Sequence, residues 1–251
     1  MSPYSPVTVT FAGSGDAFGS GGRFQACIHL AHPGLDAPVL LDCGATSLTA
    51  LRCAGLDPGA IGVVLVSHLH GDHFGGLPFL ILDGQFTGRE RALTVVGPPG
   101  TQRRLAELME CLFPGSSQAS RRFAVNVAEL SPGASVSLPG IGVQAWAGRH
   151  PSGAPALILR LRIGEAIIAY TGDTAWTPAI ADASAGADLL IAEAYYWDKA
   201  VPHHLRHVDL VGHAAELTAR RTVLTHMSAE MLARRAQACH ETAQDGLVVQ
   251  V

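Results

Sequence analysis

The sequence predicts an α/β protein built on buried strands. Short runs rich in Val, Ile and Leu alternate with turn clusters and with a few helical patterns, as strands covered on both faces require. Charged residues make up only 15% of the chain while glycines number 28, which argues against long helices laced with surface ion pairs. With 251 residues the chain can bury a sizeable core. One domain over residues 1–251 is expected, since no repeat or low-complexity linker divides it.

In chain order, strands are expected at 7–13 (VTVTFAG), 38–44 (PVLLDCG), 62–68 (GVVLVSH) and 92–98 (ALTVVGP), each an apolar run closed by Gly, Pro or a polar residue. More follow at 123–130 (FAVNVAEL), 143–150 (VQAWAGRH), 156–162 (ALILRLR), 166–173 (AIIAYTGD), 188–194 (DLLIAEA) and 222–226 (TVLTH). LRIGEAII, 161–168, reads as a hairpin about its Gly-Glu. A helix is expected from Thr101, where Leu105, Leu108, Met109 and Leu112 share a face before FPGSS stops it. Others fit 208–220 and 228–239, the latter with Ser228 as N-cap. HFGGLPFLILDGQFTGR, 73–89, turns into a helix, with Phe74 and Leu77 read as core before pocket wall. SPGASVSLPG, 131–140, reads as a surface turn.

Five cysteines without C-x-x-C spacing exclude a disulfide framework or a cysteine-built zinc site and read as small buried thiols in a reducing compartment. The opening MSPYSPVTVT has neither the basic start nor the apolar centre of a signal peptide, and no run reaches membrane-spanning length. A cytoplasmic location and no membrane partner are therefore expected. The net charge of −4 and scattered arginine pairs speak against a surface built mainly to grip nucleic acid.

Chemistry concentrates in SHLHGDHFGG, 67–76, where three histidines and an aspartate fall within six positions directly after IGVVLV. Core packing gives no reason for such a cluster. Five separate apolar runs also end on Asp42, His68, His150, Asp173 and His226, at the strand ends where α/β folds assemble their sites. Imidazole and carboxylate donors without thiolates suit a catalytic pair of zinc, manganese or iron ions better than a structural zinc. Two such ions can share a hydroxide and clamp the attacking and leaving oxygens of a substrate.

HLHGDH resembles the H-x-H-x-D-H signature of the metallo-β-lactamase superfamily. GRH, YTGDT and LTHMS resemble its remaining ligand motifs in the same chain order, and FAGSGDAFGSGGRFQA with VLLDCG is similar to the opening strands of its ribonuclease Z-like branch. The resemblance implies a four-layer αββα sandwich, two zinc ions (manganese or iron as alternatives) and a metal-bridging hydroxide as nucleophile. It implies a first ion held by His68, His70 and His150, a second by Asp72, His73 and His226, and Asp173 bridging. Asp42 would orient the histidine loop, and Asp72 would also hold the hydroxide's proton. Relatives protonate the leaving oxygen with a histidine of an H-S-T motif paired with a glutamate. Glu193 in EAYYWDK and His204 in HHLRH occupy the matching places, but the motif's serine and threonine are absent, and His203 and His207 stay open as alternatives. Relatives are commonly homodimers, so a homodimer is expected.

Ribonuclease Z enzymes that process tRNA carry a flexible basic arm, in the bacterial form between the ligands matching His150 and Asp173. Here PSGAPALILRLRIGEAIIAYTG, 151–172, is consumed by a hairpin, so tRNA is expected to be a poor substrate. The cysteine-rich zinc site of relatives that open cyclic phosphates is missing as well, with Cys27 standing alone. A small phosphodiester or phosphate ester is the expected substrate. Carboxylic ester or lactone hydrolysis, tRNA 3′ processing and a non-catalytic metal-dependent sensor are the alternatives.

Overall fold

A computed structural model describes residues 5–251; the first four residues, part of the stretch read as lacking a signal peptide, lie outside it. The chain forms two seven-stranded sheets. Strands β1 (Thr8–Gly13), β2 (Cys27–Ala31), β3 (Val39–Leu41), β4 (Val63–Leu65), β5 (Leu93–Gly97) and β6 (Val125–Glu129) lie side by side in sequence order. The second sheet runs equally simply through β7 (Ser135–Leu138), β8 (Ile141–Ala147), β9 (Leu157–Ile163), β10 (Ala166–Tyr170), β11 (Leu189–Glu193), β12 (Thr222–Thr225) and β13 (Glu241–Thr242). The last strand, β14 (Leu247–Gln250), then returns to the first sheet and pairs antiparallel with β1.

Apolar alternation explains the layers. Val9, Phe11, Leu30, Leu41 and Leu65 of the first sheet and Leu157, Leu159, Leu161, Ile168 and Ile191 of the second join one fully buried cluster between the sheets. The opposite face of the first sheet packs under α1 (Ser47–Cys53), α2 (Gly71–Phe74), α3 (Leu77–Thr87) and α4 (Thr101–Leu112), through Leu51, Leu77, Ile81, Leu105 and Met109. That of the second is covered by α5 (Pro178–Ser184), α6 (His207–Gly212) and α7 (Ala229–Arg234), through Ile180, Leu210 and Met231. The result is the expected αββα sandwich. Burial of each such side chain contributes about 1.5–3 kcal/mol, and the central cluster draws on both sheets, so neither sheet is stable in this form without the other.

Most expected elements appear near their expected bounds. The hairpin at 161–168 pairs Ile163 with Ala166, and α4 occupies 101–112 as its apolar face requires. Ser228 caps α7, its hydroxyl accepting the Met231 N–H, although a 3₁₀ turn takes over at Arg235. The helix expected over 208–220 ends at Gly212, where glycine weakens a helix and His213 stacks flat on Trp176 at 3.8 Å between ring centroids. The segment 131–140 holds a strand after all: Ser135–Leu138 alternates exposed and half-buried residues, as an edge strand does. Strands β2, β13 and β14 went unread. In β2 a histidine and a cysteine interrupt the apolar signal, and β14 is only four residues long. Cys27 and Cys43 are buried thiols, whereas Cys53, Cys111 and Cys239 are exposed; all five are free. Phe74 and Leu77 are core residues.

Strand direction places the chemistry. Strands β3 and β4 are parallel, as are β10, β11 and β12, and β8 points the same way as β10 because both run antiparallel to β9. Their C-terminal ends therefore deliver Asp42, His68, His150, Asp173, Glu193 and His226 to one rim.

Candidate metal centre

At this rim the seven expected donors gather into two groups. Ligand atoms of His68, His70 and His150 lie within 4.8 Å of one another, as do those of Asp72, His73, Asp173 and His226. Asp173 also stands between the groups, with Oδ1 3.3 Å from His73 Nε2 and Oδ2 3.9 Å from His68 Nε2 and 4.0 Å from His150 Nε2. Asp42 coordinates nothing itself and lies fully buried behind the histidine loop.

Hydrogen bonds fix what each ring presents. Asp42 Oδ2 accepts from His73 Nδ1 at 2.7 Å, from the Ser67 hydroxyl at 2.7 Å and from the Tyr170 hydroxyl at 2.7 Å, while Oδ1 accepts the Ser67 N–H at 2.6 Å. A carboxylate only accepts, so His73 Nδ1 carries a proton and Nε2 is the nitrogen turned to the donor cluster. The Ser67 hydroxyl gives its proton to Asp42 and so accepts from His68 Nδ1 at 3.1 Å, which leaves the lone pair of His68 on Nε2. His150 Nδ1 donates to the His203 carbonyl at 2.9 Å with the same result, and its Nε2 faces His70 Nδ1 at 3.0 Å. His73 Nε2 likewise faces His226 Nε2 at 3.2 Å, and the latter lies 3.1 Å from Asp72 Oδ2.

These inward nitrogens fit divalent cations. His68 Nε2 and Asp173 Oδ1 are buried without a hydrogen-bond partner, an arrangement that costs about 1–3 kcal/mol per group unless something else satisfies it. Around them the charge is unbalanced. Burial would push the Asp173 carboxyl up, yet the neighbouring His226, His73 and His68 hold it well below the usual carboxylate range. Burial opposes protonation of His226 too, but Asp173, Asp72 and Glu193 raise it to about 9. A cation at the focus of these lone pairs would do what those protons do, with hard oxygen and imidazole donors that suit zinc, manganese or iron.

Backbone shape shares in the placement. Asp42, His203 and His226 are the non-glycine residues with positive φ among those described, at 60°, 70° and 55°. All three sit at this rim. The left-handed region is costly for a branched side chain, and such strain persists where surrounding contacts over-determine it. For His226 those contacts come from the first sheet: its N–H and the Thr225 hydroxyl both reach the Ser14 carbonyl, and Ser14 is tied through its own N–H and hydroxyl to Asp245 just before β14.

A second pair flanks the second group. His204 Nδ1 donates to Glu193 Oε2 at 2.9 Å and lies 3.9 Å from Asp173 Oδ2. Glu193 is buried at the end of β11, with its other oxygen held by the Thr174 N–H. Burial depresses the His204 imidazolium, but the bond to Glu193, that residue's charge and Asp173 outweigh it and raise its pKa. Tyr195 stacks on the ring at 4.6 Å. The two alternatives point elsewhere. His203 is exposed, and its contribution to the centre is a carbonyl; His207 is buried against Trp197, and its Nε2 accepts the Cys239 N–H. Ser67, Tyr170 and Thr174 escaped the sequence reading. Ser67 stood beside His68 and was open to notice, while Tyr170 carries no local mark of its hydrogen bond to a residue 128 positions away.

Comparison with known proteins agrees with the geometry. Residues 38–227 match the family model described as a beta-lactamase superfamily domain. The chain belongs to the metallo-β-lactamase superfamily. Within it this member falls in the ribonuclease Z-like branch: it is 27% identical to the ribonuclease Z of Methanosarcina acetivorans over 88% of each chain. A ribonuclease Z of Methanothermobacter thermautotrophicus is 35% identical over 51% of this chain, a match spanning only 39% of that relative's length. The solved structure of the human short-form tRNase Z superposes with a TM-score of 0.78 at 26% identity, covering 96% of this chain and 98% of that one. The superfamily and the clustered His and Asp side chains together indicate a metal-dependent hydrolase with a divalent metal site. The expectation against tRNA is not borne out, since the relatives carry that activity in their names. Among the described residues no helix is long and apolar enough to cross a membrane.

Proposed function

We propose that this protein is a binuclear metal-dependent phosphodiesterase with small phosphodiesters or phosphate esters as substrates. The observation that carries the reading is the place of Asp173, a member of the second donor group whose Oδ2 lies 3.9 Å from His68 Nε2 and 4.0 Å from His150 Nε2 of the first, with His204 of the Glu193–His204 pair 3.9 Å from the same oxygen. His68, His70 and His150 would hold one ion and Asp72, His73 and His226 the other, with Asp173 bridging; zinc is the first choice. Bound there, the ions supply Lewis acidity and a water activated near neutral pH. The protein's own groups do the rest. Asp72 orients the attacking water and holds its proton, and Asp42 locks the histidine loop through Ser67 and His73. His204, kept protonated by Glu193, donates a proton to the leaving oxygen.

The small-substrate reading is supported by the 151–172 interval, which β9 and β10 fill, and by the alignment with the Methanosarcina relative, whose 274 positions exceed the matched part of this chain. The relative thus carries inserted sequence that this chain lacks. A second reading, cleavage of a precursor tRNA, is favoured by the names of the relatives.

The test is hydrolysis of bis(p-nitrophenyl) phosphate by protein stripped with chelator and reloaded with zinc or manganese, alongside metal analysis, a precursor tRNA transcript and aryl acetates. Loss on stripping, return on loading and two ions per chain are expected. Fully loaded protein that cleaves aryl acetates but no phosphodiester would overturn the reading.

A further inference from the structure

Next to His204 the rim opens into a cavity of about 650 Å³ that the metal centre does not use. His204, the proton donor assigned above, lines it together with Arg149, Arg206, Asp209, Trp176 and His213, so charged and aromatic groups share its wall with a short apolar stretch. The two arginines differ. Arg206 is spent on Asp209, bonded through both Nε and a terminal nitrogen, and contributes a neutral pair. Arg149 has no carboxylate partner among the described residues; its guanidinium makes one long contact, 3.4 Å to the Trp176 carbonyl. Its backbone is nonetheless fixed, the N–H donating to the Thr174 hydroxyl at 2.8 Å and the carbonyl accepting the Ala175 N–H at 3.2 Å. Trp176 is braced by His213, with rings 3.8 Å apart and 9° from parallel. A free guanidinium on a fixed backbone beside a braced indole makes a receptor for a planar group that carries an anion.

We infer that this cavity is the leaving-group subsite, and that Arg149 selects leaving groups bearing their own anionic substituent, a phosphate or a carboxylate. The inference rests on the phosphodiesterase reading, because His204 marks the leaving side only if it protonates that oxygen. In the hydrolysis itself water adds to phosphorus, the bond from phosphorus to the leaving oxygen breaks, and that oxygen takes its proton from His204. The freed alcohol or phenol is then left in the cavity beside Arg149. The size agrees, since pockets for small ligands commonly span about 300–1,000 Å³.

The experiment uses methyl aryl phosphodiesters whose leaving phenol carries a para carboxymethyl, phosphonomethyl or neutral carbamoylmethyl group. The methylene insulates the phenol, so intrinsic reactivity barely changes. Metal-loaded protein is expected to favour an anionic substrate over the neutral one at least about tenfold in kcat/KM, mostly through KM, as a charge-assisted hydrogen bond allows. The comparison of the two anions tells phosphate from carboxylate recognition. In Arg149→Ala the preference should vanish, in Arg149→Glu it should invert, and Arg149→Lys should restore part of it. Equal turnover of all three substrates by the unaltered protein would overturn the subsite and leave the phosphodiesterase reading standing. A uniform loss over all substrates in Arg149→Ala would show a structural role and overturn it equally. Calorimetric binding of 4-hydroxybenzylphosphonate reads the subsite without turnover. Binding of that phosphonate or of 4-hydroxyphenylacetate weakened at least about tenfold by Arg149→Ala supports it, even were no diester cleaved, and absence of binding of both anions to the unaltered protein overturns it.

Discussion

The two sheets contribute to one centre by different means. On the first, four donors come from a single stretch of six residues, and one buried carboxylate, Asp42, ties that stretch down through Ser67 and His73. On the second, His150, Asp173, Glu193, His204 and His226 arrive from five separate strand ends and loops, held one at a time by backbone groups and by one another. The first half is a prefabricated part, whereas the second exists only once the fold is closed. Bonds then cross between the halves: the Tyr170 hydroxyl of β10 donates to Asp42, and the His226 N–H and Thr225 hydroxyl reach the Ser14 carbonyl.

That contrast can be broken most severely at Asp173. Asp173→Ala removes the carboxylate that both donor groups share, so at least about a thousandfold loss in kcat is expected together with loss of bound metal. Elemental analysis and steady-state kinetics check it; retention of both ions would mean that the halves do not depend on a shared ligand. His204→Ala comes next. A loss of about a hundredfold is expected for diesters with alkyl leaving groups, and much less for p-nitrophenolate, which leaves without a proton. Because Glu193 and Asp173 raise the His204 pKa against burial, the acid form persists above the ordinary imidazole range. Activity on alkyl esters should fall as pH rises through that value, and this alkaline limb should be absent from the variant's pH profile. The smallest effect sharpens the comparison. Tyr170→Phe removes one bond between the halves and should cost about 1 kcal/mol in denaturant unfolding, with metal content intact because Ser67 and His73 still hold Asp42.

Legibility in the sequence follows the same division. The 68–73 cluster announced itself because its spacing is local, and short apolar runs closed by turn residues gave ten strands for the same reason. Lone residues such as Asp173 and His226 acquired meaning only from their order relative to that cluster. What stayed hidden depends on tertiary contact. Tyr170 was read as part of an apolar run, His203 supplies a backbone carbonyl that no side-chain pattern encodes, and β7 looked like a turn because an edge strand needs little apolar surface. Among the three neighbouring histidines, it is the His204 ring that Glu193 touches, a contact no local pattern announced.

The pairing of β14 with β1, and the grip of Asp245 on Ser14, carry a consequence for the order of events at the ribosome. Ser14 is synthesised well before His226, yet the strained loop of the later residue leans on the carbonyl of the earlier one. A nascent chain still short of Asp245 has every donor in hand and no finished cup to put them in. The turn that carries His226 thus gains its last support only when Asp245 has joined the fold.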